Sequence, residues 1–145
     1  MSEIPDDWPL DEIVVDTDWR MRMYEADRKA EEADPHGIAQ HAPGAKLDAG
    51  KAPVITGVVQ YFPRAVLAVA NLSLKGATKY SWRGWHDVPD GEKRYLDALG
   101  RHLAMEAIEG EVDSAWTDGD VLHATADAWN ALARLELILE RREKK

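Results

Sequence analysis

Apolar residues recur at helical spacing through the second half of the chain and predict three amphipathic helices. Val66, Leu67, Val69, Ala70 and Leu74 make one stripe after Pro63, which suits a first helical turn because its missing N–H costs little there. Gly76 is the expected cap or kink of that helix. A second helix is expected over about residues 92–109, after the turn signalled by Asp90-Gly91 and before Gly110. A third is expected over about residues 119–142, capped by Thr117 or Asp118, with Val121, Leu122, Leu132, Leu135 and Leu139 on its apolar side. Its basic end (Arg141, Arg142, Lys144, Lys145) complements the helix dipole. Upstream, Thr17 caps an expected short helix over residues 18–32, with Trp19, Met23 and Ala30 on one side, which residues 36–43 then break. The one strand signal is brief, at residues 54–55. The pattern predicts an all-α helical bundle. Three principal helices cannot cover Val66, Leu67, Val69, Leu99, Leu103, Leu132, Leu135 and Leu139 within one thin protomer, so oligomerisation is expected to complete it, as a homo-dimer or homo-tetramer.

Charge divides the chain. Residues 1–45 hold 12 acidic and 4 basic side chains, net −8, whereas residues 46–145 hold 15 and 14, net −1. The expected organisation is therefore an acidic leader, 1–45, and a nearly neutral all-α domain, 46–145. Such a leader argues against general binding to nucleic acid or to anionic membranes. No apolar run approaches the roughly 18 residues of a membrane span, and the acidic start is unlike a signal peptide. Cysteine is absent, which excludes disulfides, a thiolate nucleophile and a zinc knuckle, and makes a cytoplasmic location the expectation.

Two helices then acquire a chemical reading. His102, Glu106 and Glu109 stand at i, i+4 and i+7 on one, and His123, Asp127 and Asn130 at the same steps on the next. At roughly 100° per residue each triplet fits an arc of about 60°, so a hairpin would bring three carboxylates, two imidazoles and an amide into one cleft. Isolated carboxylates are costly to bury, so the cluster implies a cation, partner bases or water. Glu106 and Glu109 on adjacent turns suit a hard divalent ion, and Asp127 sits among alanines where a solvated face is less expected. The reading is a Mg²⁺-dependent hydrolase of a nucleotide phosphate, with Mn²⁺ as the substitute ion. His123 reads equally as ligand, base, orienting partner or structural histidine. His102 reads as an orienter of Glu106, a phosphate contact or a surface histidine, and Asn130 as a ligand anchor. Glu111 and Asp113 read most simply as exposed turn acids.

Lys46, Lys51, Lys79 and Arg94 supply charge for phosphate, the last able to grip it bidentately. Gly50 lets a ligand approach the backbone beside Lys51, yet the Walker A pattern is missing, so a P-loop enzyme is unsupported. Tyr80, Trp82 and Trp85 offer surfaces on which a purine stacks, or rings that close a core edge.

The segments Lys46-Leu-Asp48-Ala-Gly-Lys51, Gly76-Ala-Thr-Lys-Tyr80 with Trp85, Arg94-Tyr-Leu-Asp-Ala-Leu99, Arg101-His102-Leu103, Gly110-Glu111, His123 and Trp129-Asn130-Ala-Leu132 together resemble the phage-encoded dATP/dGTP diphosphohydrolases. That family is similar to the MazG-like all-α pyrophosphohydrolases, and the resemblance covers roughly residues 44–140. It implies Mg²⁺-dependent cleavage of a purine deoxynucleoside triphosphate to monophosphate and pyrophosphate. It also implies metal ligands at Glu106, Glu109 and Asp127, with Ala124 where a further Glu belongs, and a substrate role for Lys46, Asp48, Lys51, Lys79, Tyr80, Trp85, Arg94, His102 and Asn130. His123 joins the three carboxylates as a catalytic candidate. The gap at Ala124 keeps open a second reading, an inactive protein of the same fold that binds nucleotides or a host protein.

Overall fold

The computed structural model describes residues 33–117 and 121–144; the leader helix expected over residues 18–32, and Asp118 as a cap, lie outside them. The chain divides into two compact units, the first ending at Ala52 and the second beginning at Pro53. In the first, Asp34 organises the turns: its Oδ1 accepts the His36 N–H at 2.8 Å and its Oδ2 accepts the Lys46 N–H at 2.8 Å. These donors, the Lys46 amide foremost, hold the Asp34 carboxyl below its ordinary range. The Lys46 ammonium pairs with Asp48 at 3.0 Å, and the Lys51 N–H donates to the Asp48 carbonyl at 3.1 Å, so residues 46–51 form a closed polar turn.

The second unit is all-α. A single π-helical turn, Ile55–Val59, leads into α1 (Pro63–Lys79). A 3-10 turn, Gly84–Asp87, precedes α2 (Gly91–Glu109), and α3 (His123–Glu143) closes the chain. Helices α2 and α3 pack most extensively, and α1 lies against α3. The α2–α3 pair is antiparallel. Glu92, at the start of α2, holds Arg141, at the end of α3, through two contacts of 2.7 and 3.2 Å, while Glu109, at the end of α2, reaches His123, at the start of α3. Trp129 ties α3 to α1 by donating its indole N–H to Ser73 Oγ at 2.8 Å.

Small residues let these helices approach. On α3 the buried stripe is His123, Ala126, Asn130 and Ala133, a helical repeat in which every apolar member is alanine. At the start of α2, Gly91 is buried because a Cβ there would stand 2.6 Å from Leu137 Cδ1. The large apolar residues lie elsewhere. Leu67, Leu74, Leu132 and Leu135, placed on the apolar stripes, are 62%, 61%, 57% and 51% exposed in the single chain, and Leu67, Leu132 and Leu135 are among those expected to be left uncovered by one protomer; Leu122 is exposed as well. The helical period was read correctly, but the stripe turned toward the neighbouring helices is the one made of small residues.

Three further expectations are corrected. Residues 54–55 are no strand, since the chain winds there into the π turn. Gly76 lies inside α1, where its carbonyl accepts the Tyr80 N–H that ends the helix. The third helix begins at His123, not near residue 119, and its N-cap is Leu122 with no side-chain cap, so Thr117 caps nothing. What holds the chain extended before α3 is a lone antiparallel bridge between Val112 and Leu122.

Candidate functional site: a histidine–carboxylate cluster beside an aromatic cleft

That bridge decides which side chains meet. Its two hydrogen bonds run from the Asp113 N–H to the Val121 carbonyl and from the His123 N–H to the Glu111 carbonyl, each 2.9 Å. In extended chain, alternate side chains point to opposite faces. Val112 and Leu122 accordingly face out, while Asp113, Val121 and His123 face in and are 5%, 2% and 1% exposed. Asp113, read from sequence as an exposed turn acid, is thus a buried carboxylate. Its Oδ1 accepts the Ala115 N–H at 3.0 Å, which fixes the side chain in a tight turn.

His123 is the centre of the arrangement. Its Nε2 lies 2.8 Å from Glu109 Oε1, and its Nδ1 lies 3.1 Å from His102 Nδ1. Asp113 Oδ2 stands 3.7 Å from the same His102 nitrogen, close enough for charge attraction but beyond a hydrogen bond. Glu109 is fixed in turn by Ser114, whose hydroxyl donates to Oε2 at 2.7 Å. Ser114 first and His123 second hold the Glu109 carboxyl below its ordinary range. The expected meeting of the two polar lines is therefore real for His102, Glu109 and His123.

The other members of those lines fall differently. The His, Asp and Glu donors that converge on one point, among the described residues, are His102, Asp113 and His123. Among the described residues the expected trio of Glu106, Glu109 and Asp127 does not converge on one point, and the Glu109 carboxylate turns instead to Ser114 and His123. Glu106 is half-buried one turn from His102. Asp127 is half-buried with its Oδ1 inaccessible and without a hydrogen-bond partner among the described residues. Asn130 is buried and donates its amide to the Ala126 carbonyl at 2.8 Å.

An open cleft of about 990 Å³ runs between the three helices and the loop after α1, and His102 and Asn130 lie in its wall. Arg83, Arg94 and Arg101 line it too, as do Tyr80, Trp82 and Trp85. The three rings are not equivalent. Tyr80 and Trp82 are 77% and 70% exposed, whereas Trp85 is half-buried and packs edge-on against His86, Tyr95 and Trp129. Tyr95 also donates its hydroxyl to the Trp85 carbonyl at 2.6 Å, and burial raises its phenol above the ordinary value. Lys79 lies over the Tyr80 and Trp116 rings, 5.3 and 5.6 Å from their centres. Lys46, Asp48 and Lys51 belong to the first unit.

A cleft lined by arginines and open rings, with His102 of the histidine–carboxylate cluster in its wall, is a layout that suits an anionic, aromatic ligand. The chain belongs to the dATP/dGTP diphosphohydrolase family: the sequence model of that family's N-terminal region matches residues 41–145. The match covers the polar turn of the first unit and the whole of the second. No curated protein and no solved structure matches the chain. Among the described residues no helix is long and apolar enough to cross a membrane.

Proposed function

We propose that this chain hydrolyses a purine deoxynucleoside triphosphate, dATP or dGTP, to the monophosphate and pyrophosphate. The family supports the reaction class, and the observation that carries the reading is the cleft, in which open rings and arginines stand apart from the buried cluster that His102 joins to it. Tyr80 and Trp82 supply faces for the base, and a purine gains most from them. Arg83, Arg94 and Arg101 meet the phosphates, Arg94 and Arg101 from positions about two turns apart on α2. In the reaction water bonds to the α-phosphorus, the bridging oxygen leaves with pyrophosphate, and one proton must be taken up. Glu106, beside His102 and making no side-chain hydrogen bond or ion pair with a described residue, is the free carboxylate for that proton.

The carboxylates of Glu106, Glu109 and Asp127 do not converge on one point among the described residues, so no step is routed through a Mg²⁺ held by that set. We assign Mg²⁺, or Mn²⁺ in its place, to the triphosphate itself, whose charge it neutralises. Lys46, Asp48 and Lys51 enter no step here. The test is incubation of the purified chain with each of the four dNTPs and Mg²⁺. Monophosphate and pyrophosphate in equal amounts, fastest from dATP or dGTP, are expected; no release from any of them, or equal kcat/KM for all four, defeats the reading.

Assembly belongs to the same proposal. Leu67, Leu74, Leu103 and Ile108 are more than half exposed in one chain, and each large apolar side chain forgoes about 1.5–3 kcal/mol when left in water. A homo-dimer or homo-tetramer that covers these faces is expected, and a monomer by light scattering at micromolar concentration refutes it.

A further inference from the structure

Two imidazole nitrogens and a carboxylate oxygen come together in the histidine cluster. Glu109 accepts from His123 Nε2–H, and the Nδ1 atoms of His123 and His102 face each other at 3.1 Å. Asp113 Oδ2 faces that same point from the bridged segment, buried and too far from His102 for a hydrogen bond. A buried carboxylate beside two imidazole nitrogens is a donor set that suits a cation.

We infer that His102, Asp113 and His123 bind a single divalent transition-metal ion, with Glu109 orienting His123. The spacing fits. Ligands about 2.1 Å from an ion stand about 3.0 Å apart at right angles and about 3.4 Å apart at tetrahedral angles. The observed edges are 3.1 and 3.7 Å, and all three donor atoms lie within 4.8 Å of one another. The surroundings fit as well. A metal-bound histidine characteristically gives its other ring N–H to a carboxylate, as His123 does to Glu109, and that carboxylate is itself held, here by Ser114. The backbone bridge fixes two of the three donors, Asp113 and His123, before any ion arrives. Two imidazoles and one carboxylate select Mn²⁺, Fe²⁺, Co²⁺, Ni²⁺ or Zn²⁺ over Mg²⁺, which prefers oxygen ligands. Three protein ligands also leave coordination positions open, and His102 lies in the cleft wall.

The centre does not rest on the nucleotide reading, and its test needs no substrate. Chelator-treated protein is titrated with Co²⁺ by visible absorption and calorimetry, and with Mg²⁺ by calorimetry. One Co²⁺ per chain is expected, at least about 100-fold tighter than Mg²⁺. Asp113→Asn and His102→Gln should each weaken Co²⁺ at least about 10-fold, and Glu109→Gln about 10–100-fold. His86→Gln, at the other His–Glu pair, should leave the titration unchanged. Absence of Co²⁺ bands, Mg²⁺ binding of equal strength, or unaltered Co²⁺ affinity in His102→Gln overturns the centre; that variant decides alone if Asp113→Asn fails to keep its helical circular dichroism. Tight Co²⁺ binding without dNTP hydrolysis overturns only the nucleotide reading, and hydrolysis by protein that binds no Co²⁺ overturns only the centre.

Discussion

Two histidine–glutamate pairs stand at opposite ends of the α2–α3 hairpin, with nearly the same geometry and different consequences. At one end His123 Nε2 meets Glu109 at 2.8 Å; at the other His86 Nε2 meets both oxygens of Glu140 at 2.7 and 2.9 Å. The difference lies at the second ring nitrogen. His86 Nδ1 faces another carboxylate, Asp87, at 3.5 Å, and the ring is about one-third exposed. Glu140 first, and Asp87 behind it, raise the His86 pKa above the ordinary imidazole value, so this pair favours the charged ring and joins the 3-10 turn to α3. His123 is buried, and its Nδ1 faces another imidazole, that of His102, in place of a second carboxylate. A carboxylate beside histidine does not define a role; what the remaining nitrogen sees does.

The largest expected effect breaks the comparison at its functional end. Asp113→Asn preserves shape and the Oδ1 contact to Ala115 but removes the negative charge from the cluster. Pyrophosphate release from dATP or dGTP should fall at least about 100-fold, a loss of roughly 3 kcal/mol in transition-state stabilisation. Arg141→Gln, which cuts the Glu92 contact at the far end, should leave kcat/KM within about threefold, because an exposed ion pair contributes little. Equal losses in both variants, with helicity intact, would show that the cluster has no special part in turnover.

How far the sequence revealed this follows from the period each residue obeys. His102, Glu109 and His123 were legible because helices repeat, and a spacing of i, i+4, i+7 survives translation into three dimensions. Asp113 was not, because its direction comes from alternation in a segment only a bridge wide, between a glycine stop and a helix whose start was placed about four residues early. Leu67 and Leu132 sat on the correct helices but on faces whose cover cannot be inferred from one chain's pattern. Trp82 and Trp85 looked alike in the sequence, and only packing separates an open ring from one enclosed by Tyr95 and Trp129.

That separation gives the second prediction, smaller than the first. Trp82→Ala should raise KM for dATP or dGTP about 5–10-fold with kcat little changed, since stacking on the base is worth roughly 1 kcal/mol and is nearly equal in ground and transition states. Trp85→Ala should instead lower stability by about 2 kcal/mol, because it removes a half-buried ring from a cluster that includes the Tyr95 contact. Denaturant midpoints measured beside steady-state kinetics separate the two. A reversed pattern, with KM following Trp85 and stability following Trp82, would assign the base to the inner ring.

The smallest effect sharpens the comparison by pH. His86 has its pKa raised in the folded chain, so the stability it contributes is fully present below about 6.5, its unfolded value, and is lost as pH rises through the folded value. Glu109 has its pKa lowered, so its contribution is present above about 4.5 and is lost as pH falls through the folded value. The two ends should therefore loosen in opposite directions, the His86 end toward alkaline pH and the Glu109 end toward acid. Both groups are partly open to solvent, so each slope should be shallow. Thermal midpoints across pH 3–9 offer the check for Glu140→Gln and Ser114→Ala beside the parent. Glu140→Gln should flatten the alkaline limb, and Ser114→Ala should flatten the acid limb. If Glu140→Gln left the alkaline limb as steep as in the parent, the His86 ion pair would not be what holds that end of the hairpin.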